Sequence, residues 1–400
     1  MTKKRSVLLT YAQSIMTLDL ARALHREGAT VYVVDTHLWH ICKNSNAVKR
    51  SFVAPPPRFK PLEFMRALIA IINEVKIDLV IPMWEDSFIV AKFRAMLPES
   101  VEVFCDTFEK LDSLHHKGKF IQLMNQFDIP AAKTAHIQTP ADLSRCTDYP
   151  FALKACYSRA SQAVYKIASS DQIPSHIKID AAHTWIAQEW IEGINYCTYS
   201  IAREGKLLAH STYPVEYSIG KFINPKDASV PPGSACTNFR HIVHPAIEAW
   251  VKNIVEKLNY TGQIAFDLVV KADGVVYAVE CNPRMTSGIV LVSEKKGILN
   301  AFTEKEAPLI TPDLATRKKF APAMLLFGWR AALEMGKFFS FLGIWFSYRD
   351  IVFHWKDLGP FFTQPLIWAH YIFTSRRRKI TLVTFALEDQ SWNGEEISLS

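Results

Sequence analysis

The chain has 400 residues, of which 49% are hydrophobic and 21% charged, with a formal net charge of +7. This is the composition of a folded chain long enough for two or three packed domains, and it excludes a disordered one. The positive charge is spread too thinly to point to nucleic acid, although it suits a bound polyanion.

The seven cysteines form no C-x-x-C pair, which argues against a zinc cage or disulfide framework and for a reducing, cytoplasmic setting. Val7-Leu8-Leu9, behind Lys3, Lys4 and Arg5, is too short for the core of a signal peptide.

The first hundred residues alternate strand and helix. Val7-Leu8-Leu9-Thr10 reads as a strand, and an amphipathic helix then runs to Gly28. Residues 30–35 and 78–82 read as strands, with a helix over residues 62–75 between them. That order predicts an open parallel sheet with right-handed crossovers. The turn Thr10-Tyr11-Ala12-Gln13-Ser14 is not a G-x-G-x-x-G loop, so nothing here implies a dinucleotide.

The middle third changes to an antiparallel α+β pattern. Strands are expected over residues 151–155, 163–167 and 186–191. A hairpin turns at Arg203-Glu204-Gly205, and a helix is expected over residues 245–258. Residues 220–234 carry three prolines and two glycines and read as a long loop. A second hairpin joins residues 263–271 to 275–280 through Ala272-Asp273-Gly274.

That second hairpin carries the chemistry. Glu280 and Asn282 are two apart in a strand and project to one face, with Val279 and Cys281 as their apolar alternates. The hairpin can bring Asp267 beside them. Two carboxylates and an amide oxygen form a hard oxygen cluster suited to Mg²⁺, with Mn²⁺ as a substitute. Arg284 follows two residues on and can clamp a phosphate or a developing oxyanion.

The run Asp267 … Glu280-Cys281-Asn282-Pro283-Arg284 resembles the metal motif of the ATP-grasp superfamily, an acidic or amide residue followed on the next strand by E-x-N-x-R. The resemblance extends over residues 5–295. It implies an N-terminal α/β domain (1–110), then a two-lobed ATP-grasp domain (111–300). The small lobe would be 111–195 and the metal-site lobe 196–300. A C-terminal, aromatic-rich helical extension (301–400) follows.

On the same resemblance Lys119 and Lys154 would bind ATP phosphates, Lys154 also acting in catalysis with Arg284. Ser158, Arg159 and Ser161 would belong to a phosphate loop without glycine. Gln188, Glu189, Trp190 and Ile191 would hold adenine, and Asn195 the ribose. Lys221 and Arg240 are candidates for a further cation over the γ-phosphate.

The family's chemistry would be Mg-ATP-dependent activation of a carboxylate as an acylphosphate, coupled to an amine with release of ADP and phosphate. A bicarbonate-activating, carbamoyl-phosphate-synthase-like enzyme and a non-catalytic ATP-binding regulator are the alternatives. Expected partners are therefore ATP and small-molecule acid and amine substrates, with homo-oligomer formation left open.

Residues 358–375 contain no Asp, Glu, Lys or Arg, and Arg376-Arg377-Arg378-Lys379 follows. Pro360 and Pro365 count against a membrane-spanning helix. The aromatic stretch 335–380 is expected either as a helical layer on the ATP-binding domain or as a hydrophobic substrate pocket or a peripheral membrane or hydrophobic-partner contact.

Overall fold

The computed structural model describes residues 4–158, 163–217, 236–334 and 336–397. The N-terminal unit is a five-stranded parallel sheet. Its strands are β1 (Ser6–Leu9), β2 (Thr30–Asp35), β3 (Val48–Val53), β4 (Leu79–Ile81) and β5 (Glu102–Val103), in the order β3-β2-β1-β4-β5. Helix α1 (Ile15–Arg26) begins at Ser14, whose side chain accepts from the Met16 N–H. It ends beside Gly28, where φ is +92°. Its Leu18, Leu20, Ala21 and Leu24 are buried against the sheet.

Helix α2 (Pro61–Val75) covers the other face with Phe64, Met65, Leu68 and Ile72. Helices α3 (Asp86–Lys92), α4 (Phe108–His115) and α5 (Lys117–Gln126) lead into the next unit.

Two four-stranded antiparallel sheets follow. The first joins β6 (Thr134–Ile137), β7 (Phe151–Ala155), β8 (Val164–Ile167) and β9 (Trp185–Glu189) in the order β6-β9-β7-β8. It has a separate small core that includes Phe151, Leu153, Ile167 and Trp185. The second joins β10 (Ile194–Arg203), β11 (Lys206–Pro214), β13 (Gly262–Val270) and β14 (Val276–Asn282) in the order β11-β10-β13-β14. The helix Pro245–Lys257 packs on this sheet through Ile247, Trp250, Val251 and Ile254. Strand β12 (Asn238–Arg240) lies in a small sheet with β15 (Arg317–Lys319) and β16 (Arg349–Asp350). The expected loop 220–234 lies outside the described residues.

The C-terminal hundred residues divide between the two units. A layer on the ATP-binding domain is one of the expectations, and it holds for part of the region: β15 pairs with β12 and Phe341 packs on Tyr217, whereas the helix Gly359–Arg378 packs on the N-terminal parallel unit. Ile367 and Tyr371 enter the core shared with Val7, Leu9 and Leu18. The Tyr371 hydroxyl donates to Gln13 Oε1 at 2.7 Å, and Arg22 Nε reaches Asp357 Oδ2 at 2.7 Å. The end of the chain then crosses back. Trp392 packs on Phe88, Phe108 and Tyr157, and its N–H donates to Glu85 Oε2 at 2.8 Å. Among the described residues no helix is long and apolar enough to cross a membrane.

Asp35, at the end of β2, accepts from the Gln13 and His37 N–H groups at 2.8 and 2.9 Å. Burial pushes its carboxyl up to about 7, and Asp389 adds to the rise. The native state therefore holds this proton more tightly than the unfolded chain does. The stability it contributes is fully present below the ordinary carboxylate range and is lost as pH rises through about 7. Relative to wild type, Asp35→Asn is expected to be most destabilising near pH ~4 and less so near pH ~8, in thermal melts at both values.

Candidate functional site

The hairpin of β13 and β14 sets Asp267 directly opposite Glu280, and Ala265 opposite Asn282. The register shifts just after Asp267, so one residue of β14 is extra. The expected alternation of Val279 with Cys281 fails at this bulge. Ala278 and Cys281 both enter the core under the sheet, whereas Val279 and Glu280 both line a cavity on the other side. The bulge is what allows apolar contact and a carboxylate on adjacent residues of one wall.

That cavity, of about 350 Å³, lies between the two antiparallel sheets. One wall carries Asp267, Leu268, Val269 and Glu280; the other carries Ala152, Lys154 and Val164. The strand-to-strand connection from Gln188 through Gly193 closes the rim, together with Asn195. Trp190 is braced by Lys166, whose ammonium lies 4.4 Å from the ring centroid.

Gly193 sits so close to β13 that a Cβ there would lie 2.4 Å from the Val270 carbonyl oxygen. Gly193→Ala is therefore expected to force backbone movement at the rim and cost about 1–3 kcal/mol, read as a lowered Tm.

Two lysines converge on the carboxylate pair from different elements. Lys154 is buried on β7, and its ammonium donates to Gln188 Oε1 at 2.6 Å. Burial lowers its pKa to about 8, against the opposing pull of Glu280. Lys117 opens α5 and is 1% exposed. Its backbone N–H is tied to the Cys156 carbonyl at 3.1 Å. Its ammonium lies 3.4 Å from Glu280 Oε1 and donates to the Ser158 carbonyl at 2.9 Å. Asp267 is raised above the ordinary carboxylate range, first by burial and then by the charge of Glu280.

Lys119, the expected phosphate ligand, does not reach this site. It is half-exposed, and its ammonium is held by Asp112 of α4, outside the cavity lining. The position expected for it is taken by Lys117. Helical phase explains the difference. Lys117 shares a face with the buried Phe120, Ile121 and Met124, at steps of three, four and seven residues. Lys119 lies on another face. A lysine in phase with the core residues was the available signal, and it was missed.

The other expected residues fall as follows. Gln188, Glu189, Trp190, Ile191 and Asn195 all border the cavity. The Gln188 side chain is engaged by Lys154 and by the Thr134 hydroxyl. Ser158 is buried, with its hydroxyl on the Ala155 carbonyl at 3.3 Å. Arg159, Ser161 and Lys221 lie outside the described residues. Arg240 is paired with Glu216 at 2.7 Å, away from the cavity lining.

Arg284 is buried at the seam with the N-terminal unit. It lies 3.7 Å over the Trp84 ring, its Nε is 3.4 Å from Glu85 Oε1, and its Nη2 donates to Asn282 Oδ1 at 3.0 Å. Trp84 stacks in turn on Tyr11 at 5.1 Å. Trp84 and Glu85 were not singled out from the sequence. They follow the buried strand β4, and no local pattern marks them.

The donor set fits a hard divalent cation. Two half-buried carboxylates face each other across the hairpin, and their repulsion appears in the raised Asp267. Asn282 is on the same face, but its oxygen already accepts from Arg284 and would have to be shared. Oxygen donors of this kind suit Mg²⁺ or Mn²⁺.

Fold and site together define a class: two antiparallel sheets closing on a cleft in which buried lysines meet a carboxylate pair. Residues 119–288 match the family model described as an ATP-grasp domain, so the chain carries a domain of that kind over a little less than half of its length.

Among curated proteins it is similar to the C-terminal section of the carbamoyl phosphate synthase large chain of Methanocaldococcus jannaschii. The identity is 22% over 205 residues, covering 50% of this chain and 32% of that one. It is also 24% identical over 215 residues to the carbamoyl phosphate synthase large chain of Clostridium acetobutylicum, covering 50% and 19%. The chain thus spans a third or less of these relatives.

Among solved structures, an L-amino acid ligase from Bacillus licheniformis aligns with TM-score 0.57 and 18% identity, covering 74% of this chain and 72% of that one. The N5-carboxyaminoimidazole synthetase from Staphylococcus aureus complexed with ADP aligns with TM-score 0.60 and 12% identity, covering 78% and 80%. At these identities the likeness is one of fold.

Proposed function

We propose that the chain is an ATP-dependent ligase that activates a carboxylate as an acylphosphate and joins it to an amine, releasing ADP and phosphate. The observation that carries this reading is the convergence of Lys117 and Lys154 on the facing Asp267 and Glu280, at one end of the cavity rimmed by residues 188–193.

In this reading adenine lies against the rim, between Leu268 and Ala152. Asn195 offers an amide to the ribose hydroxyls. Lys117 and Lys154 neutralise phosphate oxygens, and their burial strengthens each contact. Asp267, Glu280 and Asn282 would hold a divalent cation, which when bound supplies Lewis-acid charge neutralisation at the phosphates. Arg284, fixed by Glu85 and Trp84, sits where the N-terminal unit meets the hairpin. There it would steady the reacting carboxylate and the oxyanion of the tetrahedral intermediate. No Ser, Cys or His nucleophile is needed, and Cys281 stays a core residue.

The test is release of ADP and phosphate with a panel of amino acids offered singly and in pairs. Turnover that needs both an acid and an amine supports ligation. Tight ATP binding with no turnover under any pairing would overturn it in favour of a regulator. The similarity to carbamoyl phosphate synthase large chains favours a second reading, in which the acid is bicarbonate. Bicarbonate therefore belongs in the panel, and release driven by it without an organic acid would select that reading.

A further inference from the structure

The helix Gly359–Arg378 carries no charge on either of its long faces before Arg376. Pro360, Gln364, Ile367, Tyr371 and Ser375 are buried against the N-terminal unit. At about 100° per residue, Phe362, Leu366, Ala369 and Phe373 lie on the opposite side, within a stripe roughly 60° wide. Phe362, Leu366 and Phe373 are 67%, 64% and 68% exposed. A surface helix in a water-soluble setting normally carries its charges there. This one carries none until Arg376 and Arg377, which continue the stripe at its end and are both exposed.

The apolar surface extends beyond the helix. Phe361 touches Phe362 at 5.6 Å and Phe353 at 5.1 Å, and Phe353 touches Trp355, which is 80% exposed. Lys356 is exposed next to Trp355. No acidic residue occurs from position 358 to 387, and Asp357 is buried on Arg22 and Ser45. The patch is therefore aromatic and aliphatic in the middle, basic at its margins and free of negative charge.

We propose that this face docks the protein on an anionic lipid surface. The Phe362–Leu366–Phe373 stripe and Trp355 enter the headgroup–acyl boundary, and Arg376, Arg377 and Lys356 meet lipid phosphates or carboxylates. Charge complementarity selects a membrane over a second copy of the chain. Two copies apposed through this face would bring like-charged arginines and lysines together with no acidic partner in the patch. The helix lies in the interface plane and does not span. Its inner face is committed to the protein core, and no described helix is long and apolar enough to cross.

The test is co-sedimentation of the full chain with vesicles of phosphatidylcholine alone and of phosphatidylcholine with about 30% phosphatidylserine. Binding is expected to the anionic vesicles, weakening as salt is raised. Arg376→Glu with Arg377→Glu should weaken it about tenfold or more. Phe362→Ser with Phe373→Ser should weaken it to a similar degree. Both pairs replace exposed side chains, and a thermal melt matching wild type would show that the fold is kept. ATP binding should also be unchanged, because none of the substituted residues lines the cavity. Equal sedimentation with and without the anionic lipid, or variants that bind as wild type does, would overturn the proposal. So would a dimer in solution that the phenylalanine variant dissociates, since a second copy would then cover the face.

Discussion

Replacing Glu280 with Gln is expected to lower ATP-dependent phosphate release by at least ~100-fold, with little change in Tm. The substitution keeps the side-chain volume and removes one negative charge from a site that already confines two carboxylates. For the empty protein, relief of the repulsion on Asp267 offsets the lost counter-charge of Lys117, and the Gln oxygen can still accept from that ammonium, so folding should suffer little. For a bound divalent cation it removes one of two anionic donors, and the phosphates lose the charge that orients them. The assay is phosphate release at saturating ATP, with circular dichroism and a thermal melt as controls. Activity within tenfold of wild type would refute the assignment of the metal site.

Lys117→Gln and Lys119→Gln are expected to behave oppositely, although the two residues are neighbours on one helix. Lys117 is buried, bridges Glu280 and the Ser158 carbonyl, and lies where phosphate oxygens would reach. A charge-assisted contact of this kind is worth roughly 1.5–3 kcal/mol, so its loss should raise the KM for ATP by about 10–100-fold. Lys119 is half-exposed on Asp112, and its loss should change KM by less than about twofold. Steady-state kinetics with ATP varied would separate them. A large effect at Lys119 with none at Lys117 would reverse the assignment.

The balance between legible and illegible features follows from the range of the interactions. The hairpin of β13 and β14 was readable because its evidence is local. Period-two alternation, a turn at Ala272-Asp273-Gly274 and the spacing of Asp267, Glu280 and Asn282 all lie within twenty residues. The parallel N-terminal sheet was readable for the same reason, since strand and helix periods alternate along it. The bulge after Asp267 was not readable, because one extra residue in a ladder is set by pairing and not by the strand's own pattern.

What the chain alone determined, then, is the sequence of elements and the oxygen-rich, cation-seeking chemistry of one hairpin. Tertiary structure decided which cations join it. Lys117 arrives from the start of a helix about 160 residues upstream of Glu280, and its role shows only once α5 is docked on the sheet. Tertiary structure also set Glu85 and Trp84 beside Arg284, and returned Trp392 to the same seam. Such contacts depend on packing between segments far apart in sequence, where burial and Coulomb energy are collective and no residue's neighbours along the chain record them. The outer stripe of Gly359–Arg378 lies between these cases. Its apolar residues are plain in the sequence, but only the docked fold shows that they face outward.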